Sequence, residues 1–296
     1  MKAPFPTLRK KDNFLGLEKK YSGFEESGIT ILPCPYEKTT SYGKGTKLGP
    51  QAILASSHFV EFFDEETKKE VCFEHGIAVI KPLNFSKLKP KTSLDLAHDI
   101  AKKLLTKNKF VVTLGGEHTI SLAPLKAHAD FYKDLSILQF DAHSDLRIEY
   151  EGSRFSHASF AARAAEITSK ITQIGIRAQC KEEFEFIKEK GIHTFYAYNI
   201  KEKGLINIIN DIIYTLDKNV YITFDVDYFD PSIMPSTGTP EPGGFYWDET
   251  LCLLKEVIGH RNLVGFDVVE LSPRKSFPFP DFLIAKLVYK ILNYKF

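Results

Sequence analysis

Three side chains of types that commonly bind metal ions occur at every second position in one short stretch. Asp141, His143 and Asp145 follow the apolar run 136–140, which is typical of a strand buried on both faces. In an extended chain, residues two apart point to the same side and lie about 6.6 Å apart. The three side chains could therefore converge just beyond the carboxyl end of this strand, where open α/β sheets bind their ligands.

A second acidic pair has the same setting. Asp225 and Asp227 follow the apolar run 221–224, and His118 comes after another such run at 110–114. An isolated acidic turn after a strand is usually only solvated. Two such turns and a histidine, all placed after buried strands, favour a shared site at one edge of a sheet.

Together these six residues would bring four carboxylates and two imidazoles close to one another. Ionised carboxylates repel, so the pKa values of some would rise until they held protons. Two divalent cations would cancel the four charges, and two neutral imidazoles would add ligand atoms without charge. Two ions about 3.5–4 Å apart can share a water and lower its pKa from 15.7 to about 7. Oxygen-rich ligation with some imidazole favours Mn²⁺ over a metal that selects thiolates.

Alternating strand and helix patterns predict how these residues are positioned. We predict an α/β fold of three layers, in which a mostly parallel sheet of about eight strands has helices on both faces. The predicted strands are 29–32, 76–80, 110–114, 136–140, 171–176, 193–196, 221–224 and 263–269. The predicted helices are 51–63, 94–105, 119–129, 158–167, 181–190, 205–216, 248–258 and 282–294. No linker or repeat interrupts the alternation, so we predict a single domain over 1–296.

Finer local features are also predicted. Pro50 suits the first turn of a helix, and Asp248 is expected to be the N-cap of its helix. Segment 1–27 is polar with a few aromatic residues and is expected to lie over the surface. The loop 36–50 is long enough to have a function. It follows neither of the glycine-rich nucleotide-binding spacings, so we predict no nucleotide site there.

Composition narrows the classes of partner. The formal net charge of +1 requires no strongly basic face, so we predict no nucleic-acid partner. No apolar run approaches the roughly 18 residues that span a bilayer, so we predict no membrane partner. Residues 1–20 are rich in lysine and lack the apolar core of a signal peptide. The four cysteines show no metal-binding or disulfide spacing, and a cytoplasmic location is expected.

The motifs, in their order, resemble those of the arginase/agmatinase (ureohydrolase) family. The similar stretches are Gly-Gly-Glu-His at 115–118, Asp-Ala-His-Ser-Asp at 141–145, Phe-Asp-Val-Asp at 224–227 with Asp-Pro at 230–231, Thr-Gly-Thr-Pro-Glu-Pro-Gly-Gly at 237–244, and Gly-Phe-Asp-Val-Val-Glu at 265–270. The resemblance implies an arginase-like fold and a hydrolase that releases urea from a guanidinium group at a centre of two Mn²⁺ per chain. It assigns the metal ligands to His118, Asp141, His143, Asp145, Asp225 and Asp227.

The resemblance also implies two catalytic residues. His157 falls where the family keeps a proton-shuttling histidine, and an imidazole with a pKa near 6.5 can give a proton to a leaving amine at neutral pH. Glu270 falls where the family keeps a carboxylate that binds the substrate guanidinium. Taken outside these motifs, a helix-start histidine and a strand-end salt bridge would be the simpler interpretations.

The substrate implied is a small cationic guanidino compound. The stretch 150–159 lacks the Asn-containing stretch of arginases, and segments 14–17 and 35–42 resemble agmatinases. Agmatine would give putrescine and urea, as in polyamine biosynthesis. Aminopropylagmatine, guanidinobutyrate and arginine remain alternatives. Thr237 and Glu241 could border the substrate, with Glu241 a weak candidate.

The sequence disfavours two other classes of function. A non-catalytic binding protein on the same fold would have lost ligands, whereas all six are present here. A deacetylase-like hydrolase uses one metal and fewer carboxylates, which the four aspartates disfavour. The family resemblance further implies a homo-oligomer, a trimer or a hexamer.

Overall fold

The computed structural model describes residues 5–296, and its centre is one sheet of eight parallel strands. The strands are β1 (Ile29–Cys34), β2 (Ile77–Val79), β3 (Phe110–Gly115), β4 (Leu135–Phe140), β5 (Ile171–Ile176), β6 (His193–Tyr196), β7 (Asn219–Asp225) and β8 (Asn262–Val269). Their order across the sheet is β2-β1-β3-β8-β7-β4-β5-β6. The predicted α/β fold is therefore confirmed.

Helices cover both faces of this sheet. They are α1 (Lys19–Ser22), α2 (Gly49–Ser56), α3 (Val71–Glu74), α4 (Pro90–Leu105), α5 (Leu122–Ala129), α6 (Phe160–Ala164), α7 (Lys181–Lys190), α8 (Ala197–Lys203), α9 (Leu205–Tyr214), α10 (Trp247–His260) and α11 (Phe279–Lys295). Alternate residues of each strand point to opposite faces. One face packs with α2, α9, α10 and α11, and the other with α4, α5 and α6.

Helix α4 shows how local sequence produces these elements. Pro90 lies in the first turn, where its missing N–H costs nothing, and Lys102 and Lys103 lie in the last turn, where positive charge is favoured. Leu94, Ala97 and other apolar residues at helical spacing are buried against the sheet. The helix begins four residues before its predicted start because Pro90 and polar residues form its first turn.

Several predicted boundaries were wrong. The helix predicted at 51–63 ends at Ser56, followed by a 3₁₀ turn over Ser57–Phe59. Helix α8 was not predicted. Helix α10 has Tyr246 rather than Asp248 as its N-cap, although Pro50 does lie in the first turn of α2.

The N-terminal segment does not simply lie over the surface. Phe14, Leu15, Leu17 and Phe24 are each at most 3% exposed and belong to the two hydrophobic clusters. Asn13 organises the turn, since its side chain accepts the Leu17 N–H and donates to the Leu17 carbonyl. The mostly polar composition of segment 1–27 gave no sign that these four apolar residues are buried in the core.

The strand order determines where a ligand can bind. Strands β3, β8, β7 and β4 occupy the centre, and the chain connects β3 to β4 across the two strands between them. Where the chain crosses in this way from one half of a parallel sheet to the other, a crevice forms at the carboxyl ends of the strands. Among residues 5–296, no helix is both long and apolar enough to cross a membrane.

Candidate metal centre

The predicted metal ligands come together at the carboxyl ends of three central strands. His118 follows β3, Asp141 follows β4, and Asp225 is the last residue of β7. The side chains lie in two groups, and in each group the ligand atoms are all within 4.8 Å of one another. The groups are His118, Asp141 and Asp145, and Asp141, His143 and Asp227.

Asp141 connects the two groups because each of its oxygens belongs to a different one. Oδ2 lies 3.1 Å from Nδ1 of His118, and Oδ1 lies 3.7 Å from Nδ1 of His143. Asp145 Oδ2 is 3.1 Å from the same nitrogen of His118, and Asp227 Oδ2 is 2.9 Å from that of His143. A carboxylate shared in this way is suited to bridging two cations.

Asp225 completes the set beside His118. Its Oδ2 lies 3.3 Å from Nδ1 of His118, and its Oδ1 accepts the backbone N–H of Asp227 at 2.9 Å. Asp227 in turn accepts the Ala142 N–H through Oδ1 at 3.0 Å. The first bond lies within the loop after β7, and the second joins that loop to the loop after β4. Asp227 is therefore oriented by the backbone next to Asp141.

Backbone conformation separates His143 from Asp145. Asp145 has a φ of 53°, in the left-handed region that non-glycine residues rarely adopt. The chain is therefore not extended through all three alternate positions, and the two side chains enter different groups with Asp141 between them. Glu270 has a φ of 65°. Such conformations cost about 1–3 kcal/mol and are common at functional sites.

The hydrogen bonds of His118 show which nitrogen faces the acids. Its Nε2 lies 2.9 Å from Thr223 Oγ1, and Thr223 donates its own proton to Asp267 Oδ1 at 2.8 Å. Thr223 can then only accept from His118, so Nε2 carries the proton. Nδ1 is buried and has no hydrogen-bond partner among the described residues. Burial opposes protonation of His118, but the three carboxylates outweigh it and raise the pKa of His118, and a cation at Nδ1 would take the place of the proton that they favour. A buried nitrogen beside three acids, on a ring held through its other nitrogen, fits a metal ligand.

Burial and crowding shift the acidic pKa values in both directions. Burial, followed by the charge of Asp141, raises the pKa of Asp145 to about 7. Burial and the charges of Asp227 and Asp141 raise the pKa of Asp225 well above its usual range. Burial also opposes ionisation of Asp227, but His143 outweighs it and lowers the pKa of Asp227 to about 2.

In the described part of the chain, the four aspartates are paired only with His118 and His143. Within residues 5–296, no Lys or Arg nitrogen lies within 4.0 Å of the four aspartates, whose ion-pair contacts are with His118 and His143. Buried charges of one sign are costly unless something compensates them. Four carboxylates and two imidazoles therefore fit divalent cations better than they fit a structural ion-pair network.

Glu270 and His157 lie beside these ligands. A cavity of about 150 Å³ is lined by Ser41, His143, Asp145, Arg147, Tyr150, His157, Ala158, Asp225, Asp227, Thr239 and Glu270. Glu270 Oε1 accepts the His118 backbone N–H at 2.7 Å. Burial and the charge of Glu117 raise the pKa of Glu270 well above its usual range. Burial lowers the pKa of His157, opposed by the charge of Glu117.

Sequence reasoning missed several residues that support the site. Asp267 is fully buried and accepts hydrogen bonds from Tyr221, Thr223 and Ser121 at 2.7–2.8 Å. An acid in the middle of an apolar strand needs buried donors. That rule could have marked Asp267 as functional or structural, but it could not have identified the partners.

Arg177 was also missed, and nothing in its sequence context points to it. Its guanidinium donates to the carbonyls of Gly175, Asp227, Tyr228, Phe229 and Glu241. The shortest of these bonds, 2.6 Å, goes to the Asp227 carbonyl. Arg177 thus fixes the turn that carries Asp227 to the loop of Glu241, whose Oε1 is 3.8 Å from Nε2 of His143.

Comparisons with known proteins agree with this geometry. Residues 27–293 match the sequence profile described as the Arginase family. The chain is 36% identical over 279 residues to the N(1)-aminopropylagmatine ureohydrolase of Synechocystis sp., covering 92% of this chain and 90% of that one. It is 34% identical to the agmatinase of Bacillus anthracis, covering 86% and 87%. The agmatine ureohydrolase structure of Thermoplasma volcanium superposes with a TM-score of 0.83 at 27% identity, covering 93% and 92%.

Proposed function

This chain belongs to the arginase family, and from that premise we propose that it hydrolyses the guanidinium group of agmatine to putrescine and urea with two Mn²⁺ ions. The observation that supports this proposal is the pair of ligand groups joined by Asp141. His118, Asp145 and Asp225 would hold one ion, His143 and Asp227 the other, and Asp141 would bridge them. Two such ions, when bound, supply an activated water for attack on the guanidinium carbon.

Glu270 would bind the substrate cation. A carboxylate accepts about four hydrogen bonds, and the His118 N–H uses only one of these positions. Burial and the neighbouring Glu117 make the Glu270 charge unfavourable in the free protein. A planar guanidinium would relieve that cost by adding a positive charge and several N–H donors.

His157 would deliver a proton to the leaving amine. It lines the same cavity as Glu270 and is half-buried. Its pKa is lowered by burial, so at neutral pH the ring is mostly neutral and can take up a proton before giving it away. The ring is held edge-on against Tyr150, with centroids 5.7 Å apart.

A second substrate is favoured by a specific finding. The relative from Synechocystis sp. named above, at 36% identity, is an N(1)-aminopropylagmatine ureohydrolase. Aminopropylagmatine presents the same guanidinium group with a longer cationic tail. The residues around the catalytic atoms would serve both substrates, and the difference would arise at the cavity mouth.

A urea-release assay with four substrates tests the proposal. The Mn²⁺-loaded enzyme is given agmatine, aminopropylagmatine, guanidinobutyrate and L-arginine, and kcat/KM is compared. We expect the two substrates with cationic tails to be preferred, because a carboxylate tail would lie beside acidic groups. Preference for L-arginine would refute the agmatinase-like assignment, and no urea from any substrate would refute the reaction.

Glu270→Gln provides the internal check. The amide keeps the shape of the side chain but loses its charge, so binding should weaken by about 1.5–3 kcal/mol. Glu185→Gln, on the exposed surface of α7, is the matched control and should retain the activity. Equal loss in both variants would mean that neither glutamate is the specific guanidinium site.

A further inference from the structure

One fully buried carboxylate next to the site has no part in the reaction as described. Glu117 accepts four hydrogen bonds and, among the described residues, forms no ion pair. Its Oε2 accepts the N–H groups of Lys38 and Thr39 at 2.6 and 2.7 Å. Its Oε1 accepts the hydroxyls of Thr39 and Thr119 at 2.6 and 2.9 Å. The acid thereby fastens the loop after β1 to the loop after β3.

The Thr39 hydroxyl stands between this acid and His157. A hydroxyl has one proton to donate and two positions that accept. The proton goes to Glu117 Oε1, because an ionised carboxylate can only accept. The backbone N–H of His157 occupies one accepting position of Thr39 Oγ1 at 3.1 Å. His157 Nδ1 lies 3.4 Å from the same oxygen and faces the remaining position.

Nδ1 can bond to Thr39 only if it carries a proton. In the neutral ring Nε2 then has the free lone pair. Nε2 lies 3.3 Å from Ser41 Oγ, and Ser41 and His157 both line the cavity that contains Glu270. The direction in which the Thr39 hydroxyl donates its proton therefore determines whether Nε2 of His157 has a free lone pair toward the cavity.

An independent part of the structure uses the same order of groups. Asp267 accepts the proton of Thr223, and Thr223 accepts from Nε2 of His118. There the acid and the threonine fix a proton on Nε2, and Nδ1 is the nitrogen that faces the candidate metal ligands. The two arrangements differ in which nitrogen they leave free, and each frees the nitrogen that faces its site.

We propose that Glu117 is a positioning residue that acts through the Thr39 hydroxyl to hold neutral His157 as the Nδ1–H tautomer, so that Nε2 exchanges the proton with the substrate. The tautomer rests on hydrogen bonding, and Ser156 Oγ, 3.5 Å from Nδ1, is a rotating hydroxyl that can accept from the same N–H. Only the use of Nε2 rests on the proposed function, in which His157 delivers a proton to the leaving amine.

Substitutions that reverse or remove the Thr39 hydroxyl should change the tautomer of His157, and a substitution that keeps the hydroxyl should not. In Glu117→Gln, the new NH₂ group cannot face the two backbone N–H groups and must turn toward the hydroxyls, which can reverse. Thr39 would then donate toward His157 instead of accepting from it. Thr39→Val removes the hydroxyl at nearly constant shape, and Thr39→Ser keeps it. Thr40→Val is the matched control, because Thr40 makes no side-chain hydrogen bond among the described residues.

Histidine ¹⁵N spectra measure the tautomer directly. The protein is labelled at both ring nitrogens and loaded with diamagnetic Zn²⁺, in a buffer alkaline enough to keep His157 neutral. The nine histidines are few enough to assign His157 from the signal lost in His157→Gln. We expect Nδ1–H in the wild type and Thr39→Ser, and a shift toward Nε2–H in Thr39→Val and Glu117→Gln. A wild-type Nε2–H ring, or an unchanged ring in Thr39→Val, would overturn the proposal.

Kinetics of the Mn²⁺-loaded enzyme test the use of that tautomer. Thr39→Val should lower kcat by roughly 10-fold, a part of the 10²–10⁴ that positioned proton transfer contributes, with KM and metal content unchanged. Thr39→Ser and Thr40→Val should resemble the wild type. A shifted tautomer with unchanged kcat would overturn the assignment of Nε2. If no substrate releases urea, the proposed function fails, while the ¹⁵N spectra still decide whether Glu117 sets the tautomer.

Discussion

Two groups of carboxylates in this molecule have opposite electrostatic surroundings. The metal centre, as we call His118, Asp141, His143, Asp145, Asp225 and Asp227, contains four acids without a Lys or Arg partner in the described part of the chain. In a second group, each acid is paired with at least one lysine. We call it the C-terminal ion-pair cluster, and it comprises Asp64, Glu66, Lys255, Lys290 and Tyr294. Asp145 has its pKa raised to about 7, whereas that of Glu66 is lowered to about 2.

The C-terminal ion-pair cluster owes its low pKa values to short contacts. Lys290 Nζ lies 2.9 Å from Asp64 and 2.8 Å from Glu66. Glu66 also accepts from Lys255 at 2.8 Å and from the Tyr294 hydroxyl at 2.6 Å. Burial opposes ionisation of Glu66, but these hydrogen bonds outweigh it.

The difference separates structural charge from functional charge. Paired acids in the C-terminal ion-pair cluster join the segment around residue 64 to helix α11, and their charge is already compensated. The acids of the metal centre have only two histidines as partners, and the proposed cations would compensate the remaining charge. Substitutions in the two groups should therefore affect different measurements.

Asp141→Asn should have the largest effect, because Asp141 belongs to both ligand groups. The amide cannot supply a shared negative charge, so we expect both ions to be bound weakly. Metal ions contribute several kcal/mol to such reactions, and each 1.36 kcal/mol is tenfold in rate. Urea release should fall by at least roughly 10³-fold, and elemental analysis after dialysis should show less than one ion per chain.

Asp64→Asn is the control for that substitution. Asp64 is also buried, but it pairs with Lys290 rather than facing the cavity. Its loss should leave metal content and kcat unchanged. If Asp64→Asn loses metal, or if Asp141→Asn keeps two ions, the distinction between the two groups is wrong.

Lys290→Met should have the next largest effect, and it should act on stability. The Lys290 and Asp64 side chains are each only 3% exposed, so removing the amine leaves a buried, uncompensated carboxylate. Breaking a buried pair in this way costs about 3 kcal/mol. Urea unfolding should show that loss in the free energy of unfolding, while kcat and metal content stay unchanged.

Lys286→Met, on the same helix, separates charge from helix packing. Lys286 forms no ion pair in the described part of the chain. We expect its loss to change the free energy of unfolding by less than about 0.5 kcal/mol. A loss equal to that of Lys290→Met would assign the effect to the helix rather than to the ion pair.

The two groups also predict opposite responses to pH in protein stripped of divalent ions. Asp145 has a folded pKa of about 7 against an ordinary 3.8, so between these values the folded chain holds the extra proton. Stability should fall as pH rises through that window, by up to about 1.4 kcal/mol per pH unit for one group. Glu66, with a folded pKa of about 2 against 4.5, loses stability as pH falls through its window.

Urea unfolding across the range from about 2 to 7, with and without Mn²⁺, measures both responses. Bound ions keep the aspartates ionised, so they should remove the decline toward neutral pH and leave the acid side unchanged. Asp145→Asn should flatten the same decline in stripped protein. A decline in Asp145→Asn as steep as that of the wild type would contradict the raised pKa of Asp145.

The sequence predicted the sheet and the family because both depend on regular patterns. Apolar runs at strand spacing marked all eight strands within two residues at either end, and the family assignment is confirmed. The ligand positions followed from the same regularity, since the carboxyl ends of neighbouring parallel strands meet at one edge. Strand β7 begins two residues before its predicted start, because Asn219 extends it into a polar turn.

The supporting residues could not be predicted because their partners are distant in sequence. Thr39 and Glu117 are 78 residues apart, and Arg177 contacts carbonyls up to 64 residues away. Side-chain periodicity contains no information about such contacts. The left-handed conformation of Asp145, which divides the ligands into two groups, likewise depends on the surrounding structure.

Lys255→Met should have a much smaller effect than Lys290→Met, although Lys255 and Lys290 lie equally close to Glu66. The Lys255 side chain is 54% exposed, and Glu66 keeps Lys290 and Tyr294 after the change. Exposed pairs contribute about 0–1 kcal/mol, and salt screens them within about 8 Å at physiological ionic strength. Urea unfolding at low and high salt should show a loss below about 0.5 kcal/mol that disappears at high salt, whereas the loss in Lys290→Met should persist. Because both contacts measure 2.8 Å, an equal and salt-independent loss would show that distance, rather than burial, controls the strength of these pairs.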